Sequence, residues 1–298
     1  MTDPLTNPPS TPLPLAAIKA MRPKQWAKNV FIFAALIFSL NFENPTAIYQ
    51  TLVALCSFCC ISSSGYIIND IRDIDVDKNH PKKRFRPLAS GALPVHIGYI
   101  QAAALFCLGM LFSYLISLKL LSIALAYFIT TMSYSLFFKN FVVLDVMFIA
   151  SGFIWRVVAG AIAISVAISP WLLTCTGFLA LFLGFNKRRG ELVSMQNKNT
   201  RNNLKDYNIP MLQEFQAITT SGAIISYAIY TVLGPHKNEM LLLTLPYVVY
   251  GIFRYIYLIN RHGEGDAPDE TLLKDVPILV TGLLYVVTAI AIFKLHPA

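Results

Sequence analysis

Nine runs of apolar residues, each close to the length of a membrane crossing, govern what this chain can fold into. They cover approximately residues 26–43, 46–68, 95–116, 119–138, 144–166, 169–187, 211–233, 240–260 and 275–295. A hydrocarbon core about 30 Å thick takes roughly 20 residues of helix to cross. Pro45, Pro94, Pro170 and Pro210 fall at or just outside run starts, where a missing N–H costs little. The remaining residues agree: 55% are hydrophobic and 13% charged, against roughly 25% charged in a soluble domain. So few charges cannot coat a soluble core in a chain of 298 residues. A soluble globular enzyme is excluded, and the expected fold is an all-α integral membrane protein with nine transmembrane helices.

Prolines at Pro4, Pro8, Pro9, Pro12 and Pro14, with no basic residue before Lys19, predict a disordered tail over 1–18 and a single membrane domain over 19–298. The five cysteines lie in apolar runs. Cys56 and Cys59 have no second pair or nearby histidine, so neither zinc nor a disulfide is expected. Of the 24 basic residues, 20 fall in the N-terminal segment and even-numbered loops and 3 on the opposite side. That bias places the N-terminus and those loops in the cytoplasm and the C-terminus outside. Only Glu43 and Glu239 among the acidic loop residues fall on the far side. A face rich in both signs points to a site as well as a topology. Membrane lipids, not nucleic acid, are the expected surroundings, and association into oligomers is left open.

The densest constellation runs from Tyr66 through Asn69, Asp70, Asp73 and Asp77 to Lys82, Lys83, Arg84 and Arg86. If the second span continues as a helix, Tyr66, Asn69, Asp70, Asp73 and Asp77 share one face. Clustered carboxylates repel, and a hard divalent cation with oxygen ligands offsets that repulsion. Magnesium binds one or two carboxylates and leaves positions open for phosphate oxygens, which the following Lys and Arg residues can also reach. The segment therefore reads as a magnesium–pyrophosphate site, with Asp70, Asp73 and Asp77 as candidate catalytic carboxylates and Asn69, Asp73 and Asp77 as candidate metal ligands. A solvated charge run beside a span is the plainer alternative, but it has no reason to keep helical register.

This pattern resembles the first aspartate-rich motif of the UbiA superfamily of intramembrane prenyltransferases. The resemblance covers nearly the whole chain and implies a nine-helix bundle around a polar cavity open to the cytoplasm. Members of that superfamily typically carry a second DxxxD after span six. Here the segment contains Lys187, Arg188, Arg189 and Glu191, with Asp206 the only aspartate.

The departure looks like the decaprenyl-phosphate phosphoribosyltransferase branch, as do Arg22–Asn29, Asn69–Gly91, Ile154–Gly160, Asn186–Leu192 and Gly263–Pro268. That resemblance implies magnesium-dependent transfer of phosphoribose from phosphoribosyl pyrophosphate to a polyprenyl phosphate. It also implies that Lys28, Tyr66 and Lys83 contact the donor, that Asn69 and Asp73 hold magnesium, and that Tyr134 and Lys139 form a pair near the diphosphate. Two anionic substrates repel, and Lys28, Lys139, Arg156, Lys187 and Arg188 are placed to offset that charge. Arg156, halfway along an apolar span, needs a polar cavity or a partner. Asp145 lies eleven residues away, about three turns, too far to bridge directly. No GxSxG, HExxH, P-loop or GxGxxG occurs. Two alternatives stay open: a prenyltransferase joining a prenyl diphosphate to an aromatic acceptor, and a non-enzymatic transporter.

Overall fold

The computed structural model describes residues 12–80, 83–194, 204, 206–234, 238–262 and 274–295, which are helical with no strand. The chain divides into two compact units, one of Met1–Ser135 with Trp155–Ser165, the other of Leu136–Ile154 with Val166–Ala298.

The first unit contains α1 (Leu13–Ala20), a 3₁₀ stretch (Pro23–Ile32), α2 (Phe33–Phe38), α3 (Pro45–Arg72), α4 (Ile74–Lys78), α5 (Val95–Ile116) and α6 (Leu118–Leu136). Its axis is α3 against α5. Asn44 starts α3, its side-chain oxygen accepting from the N–H of Thr46 at 3.0 Å and of Ala47 at 3.4 Å, with Pro45 in the first turn. The two helices meet through small residues and hydroxyls. Ser57 Oγ donates to Gly109 O and Ser64 Oγ to Ala102 O, both at 2.8 Å. Lipid provides no hydrophobic drive between helices, so close packing and such bonds hold them together.

Two expectations change in this unit. The tail over 1–18 is helical from Leu13, because Ala16 and Ala20 are buried with Ile67, Leu88, Leu93 and Ala102. Residues 1–11 lie outside the described residues. The first apolar run, expected as a continuous span over 26–43, is instead the 3₁₀ stretch, the six-residue α2 and a 3₁₀ turn at Asn41–Glu43. Three residues per turn bring i and i+3 into line. Trp26, Asn29 and Ile32 then share a face: Trp26 Nε1 donates to Ser63 Oγ at 3.0 Å, Asn29 Nδ2 to Cys59 Sγ at 3.1 Å, and Ile32 enters the core.

The second unit contains α8 (Pro170–Ser194), α9 (Ile209–Leu233), α10 (Leu245–His262) and α11 (Val276–Leu295), with α8 paired to α9 and α10 to α11. Phe182, Ala223, Ile252, Tyr255 and Ile259 form its main core, and Val146, Phe185, Tyr207 and Leu212 a second one. Helix α7 (Leu144–Ala163) gives its first half to this unit and its second half to the first.

Among the described residues, six helical segments are long and apolar enough to cross a membrane: α3, α5, α6, α7, Glu239–Arg261 and α11. The expected sixth and seventh spans are α8 and α9, each 25 residues long. Length suffices for both, but Asn186–Arg189 in α8 and Gln213, Glu214, Gln216, Thr219 and Thr220 in α9 lower their apolar character.

Candidate active site

The carboxylate-rich face does not form one cluster. Helix α3 ends at Arg72, and Asp73 caps it before α4 begins at Ile74, so the continuous register expected from Tyr66 to Asp77 is broken at Asp73. Its residues sort into two sets. Asp70 and Asp77 are buried and ion-paired: Arg22 and Arg86 both bind Asp70 Oδ1, the latter at 3.1 Å, and Arg86 Nη1 also reaches Asp77 Oδ2 at 2.6 Å. Arg22 takes a positive φ of 53° and lies over the Tyr66 ring at 5.3 Å. Asn69 and Asp73 stay partly exposed, one turn apart, with Asn69 Nδ2 donating to Asp73 Oδ2 at 3.2 Å. The Ser135 hydroxyl donates to Asn69 Oδ1, and Arg72 Nη1 to Ser135 O at 2.6 Å, which ties this pair to the end of α6.

These two sets differ in what they can do. A carboxylate already neutralised by two guanidinium groups shapes the segment, as Asp70 and Arg86 do by holding the chain after α4 onto α3. Asn69 Oδ1 and the Asp73 carboxylate are hard oxygen donors at an accessible edge, which suits magnesium, a cation that takes one or two protein ligands and completes its shell with phosphate and water. Among the described residues no three His, Cys, Asp or Glu lie close enough to hold a metal by themselves.

Arg156 lies 4% exposed on α7. Its Nε donates to Asn29 Oδ1 at 2.7 Å and its Nη2 to the Tyr127 hydroxyl at 2.9 Å, with the guanidinium 4.9 Å from the Tyr127 ring centre. Gly160, one turn further along, makes this possible. A Cβ there would stand 2.0 Å from Ile32 O, so only glycine lets α7 approach the 3₁₀ stretch that carries Asn29.

In the second unit, Arg188 is buried between two carboxylates. Its Nε donates to Asp145 Oδ2 at 2.7 Å and its Nη1 to Glu191 Oε2 at 2.6 Å. The Tyr207 hydroxyl donates to Asp145 Oδ1 at 2.7 Å and accepts the Val143 N–H at 2.7 Å. Burial first, and then the bond to Asp145, raise the Tyr207 phenol above its ordinary range. Lys187, next to Arg188, is partly exposed.

Of the other sequence-predicted residues, Lys28, Lys83, Tyr134 and Lys139 are partly exposed, and Arg84 is exposed with its guanidinium 4.8 Å from the Phe85 ring centre. Lys82 lies outside the described residues. Sequence reasoning missed Asn29, Tyr127, Asp145 and Tyr207 as partners. Asp145 carried the same signal as Arg156, a lone charge in an apolar run, whereas Tyr127 carried none that distinguishes it from an interfacial tyrosine.

A family model described as the UbiA prenyltransferase family matches residues 30–272. The chain belongs to that family. It is similar to the decaprenyl-phosphate phosphoribosyltransferase of Corynebacterium glutamicum, 32% identical over 280 residues that cover 90% of this chain and 84% of that one. The protein of the same name from Mycolicibacterium smegmatis is 28% identical, over 96% of this chain and 94% of its own. Among solved structures, a UbiA homologue from Archaeoglobus fulgidus bound to GPP and Mg2+ superposes with a TM-score of 0.73 at 18% identity, covering 94% of this chain and 99% of that one. The fold of this UbiA family member is thus the all-helical one of its relatives, in an integral membrane protein.

Proposed function

We propose that this UbiA family member is a transferase that moves the phosphoribosyl group of phosphoribosyl pyrophosphate to a polyprenyl phosphate such as decaprenyl phosphate, releasing pyrophosphate. The contrast between two clusters carries the reading. Asn69 and Asp73 offer hard oxygens to one metal site, while the C-terminal part of α8 carries the partly exposed cation Lys187, and its one carboxylate, Glu191, is bound by Arg188. A single metal site with added fixed cations suits two anionic substrates better than one prenyl diphosphate held by two metal clusters. The near full-length similarity to two proteins named for this activity supports the same choice.

In this reading Asn69 and Asp73 hold magnesium, which would screen the pyrophosphate as it leaves. Lys28, Tyr66, Lys83 and Arg84 bind the donor phosphates. Asp70 and Asp77, held by Arg22 and Arg86, fix the shape of that segment and touch no substrate. In the first unit Tyr134 and Arg156 add polar groups, Arg156 oriented by Asn29 and Tyr127, and in the second unit Lys139 and Lys187 add cations. Arg188 acts through its ion pairs. The acceptor phosphate is already an oxyanion near pH 7, so it attacks ribose C1 without a general base while the C1–O bond to pyrophosphate breaks. Nine crossings, a cytoplasm-facing polar cavity, and a cytoplasmic N-terminus belong to the same reading.

The family match favours one second reading, prenyl transfer from a prenyl diphosphate to an aromatic acceptor. Purified protein incubated with labelled phosphoribosyl pyrophosphate and a polyprenyl phosphate should yield a labelled lipid. Lys187→Asp should be inactive in that assay and gain no prenyl transfer. Prenyl transfer by the wild type, without phosphoribosyl transfer, would select the second reading.

A further inference from the structure

The short segment before α7 is held in a conformation that its own sequence disfavours. Val143 has φ 68°, in the left-handed region, where a β-branched side chain is a genuine outlier. The Leu144 N–H donates to Val142 O at 2.8 Å across it, the bond of a three-residue γ-turn. Such a backbone persists only where its surroundings over-determine it. Val143 O accepts the Val146 and Met147 N–H at 3.1 and 2.9 Å as α7 begins, and among the described residues the one side-chain bond to the Val143 backbone comes from a hydroxyl: the Val143 N–H donates to Tyr207 Oη, and Tyr207 in turn donates to Asp145. Asp145 is 0% exposed and has both oxygens engaged, Oδ1 also accepting the Val146 N–H at 2.9 Å and Oδ2 accepting from Arg188.

Three helix ends of the second unit therefore meet on one buried carboxylate: the start of α7, the C-terminal part of α8, and the residue two positions before α9. Two of these ends carry the cations expected to meet phosphate. Lys139 lies four residues before Val143 in the 3₁₀ turn Phe138–Asn140, and that turn is itself anchored by Phe138 stacked on Phe148 at 4.3 Å. Lys187 is the neighbour of Arg188 on α8.

We infer that Tyr207 is a positioning residue: through Val143 and Asp145 it fixes the turn carrying Lys139 and the helix end carrying Lys187, and so sets the affinity of the second unit for phosphate-bearing substrates. The inference rests on the reading above only in taking those two lysines as phosphate-binding. It does not depend on which group is transferred.

The test uses direct binding to full-length protein in lipid nanodiscs with magnesium, so that it needs no turnover. Two probes separate the two phosphate sources: inorganic pyrophosphate for the donor and a short isoprenyl monophosphate for the acceptor. Tyr207→Phe keeps the ring within the core of Val146, Phe185 and Leu212 and deletes the hydroxyl. It should weaken at least one probe about tenfold, the scale of one lost hydrogen bond. Adding Val143→Gly should restore most of that affinity, because glycine takes a positive φ without the hydroxyl to hold it. Unchanged affinity for both probes with only a lower Tm would overturn the inference, as would a double variant no better than Tyr207→Phe. If Tyr207→Phe does not fold, Val143→Gly/Tyr207→Phe decides: folding with near-normal affinity supports the inference, and failure to fold or lasting tenfold weakening overturns it. Failure of the wild type to transfer phosphoribose would count against the proposed function alone.

Discussion

Neighbouring residues with the same formal charge have different work here. Lys187 and Arg188 are adjacent cations, yet Arg188 is buried in two ion pairs and Lys187 is partly exposed. Arg188→Ala would leave the Asp145 carboxylate buried without its guanidinium, and breaking a buried pair this way costs roughly 3–5 kcal/mol. The expected outcome is a large fall in Tm or yield. Lys187→Ala should leave Tm close to wild type and weaken a phosphate substrate roughly 10- to 150-fold, the range of a charge-assisted hydrogen bond; equal Tm losses in the two variants would contradict this division. A parallel contrast holds on α3. Asn69→Ala and Asp73→Ala should each abolish magnesium-dependent turnover with the protein still folded and membrane-inserted, since their side chains lie at an accessible edge. Near-normal activity of either at millimolar magnesium would remove them from the metal site.

At the scale of elements, an ion pair that titrates joins the middle of α10 to the start of α11. Arg254 of α10 binds Asp275, just before α11, through Nε at 3.3 Å and Nη2 at 2.9 Å, and Asp275 Oδ1 also accepts the Ile278 N–H at 3.0 Å. The bonds from Arg254 and then from Ile278 hold the Asp275 carboxyl below its ordinary value. A depressed carboxylate stabilises the fold above the unfolded-state pKa, about 3.9, and loses that contribution as pH falls through its folded value. The Tm difference between wild type and Asp275→Asn should therefore be constant above about pH 5 and shrink below about pH 4. A difference that grew on acidification would rule out the pair as its source. Its size should be modest, because partly exposed pairs are screened by water.

For the whole molecule, the strongest expectation is orientation. The 20 basic residues of the N-terminal segment and even-numbered loops, against 3 in the odd-numbered loops and C-terminal end, predict that a cysteine introduced in the loop between the sixth and seventh apolar runs is labelled from the cytoplasmic side and one beside Lys237 from outside. The reverse pattern would deny a cytoplasmic sugar donor access to Asn69 and Asp73. Each unit has a buried guanidinium bound by other side chains, Arg156 in the first and Arg188 in the second, and the hard oxygens of Asn69 and Asp73 belong to the first.

Periodicity, length and apolar content by themselves determined an all-helical membrane protein and the positions of most long helices, because burial in lipid is decided residue by residue along a helix. The motif around Asn69 and Asp73 was legible for the same reason: local spacing sets which side chains share a helical face. Spacing excluded Asp145 as the partner of Arg156, but it could not show that Asp70 and Asp77 are neutralised by Arg22 and Arg86, or that Asp145 answers Arg188, since those partners lie 9 to 48 residues away in the chain. Nor did the apolar run at 26–43 disclose its 3₁₀ winding, which depends on Trp26, Asn29 and Ile32 meeting α3 in one line and on Gly160 letting α7 come close. Tertiary structure decided that Asp70, Asp77, Asp145 and Arg188 are buried in ion pairs, because only the folded chain brings their counter-charges to them.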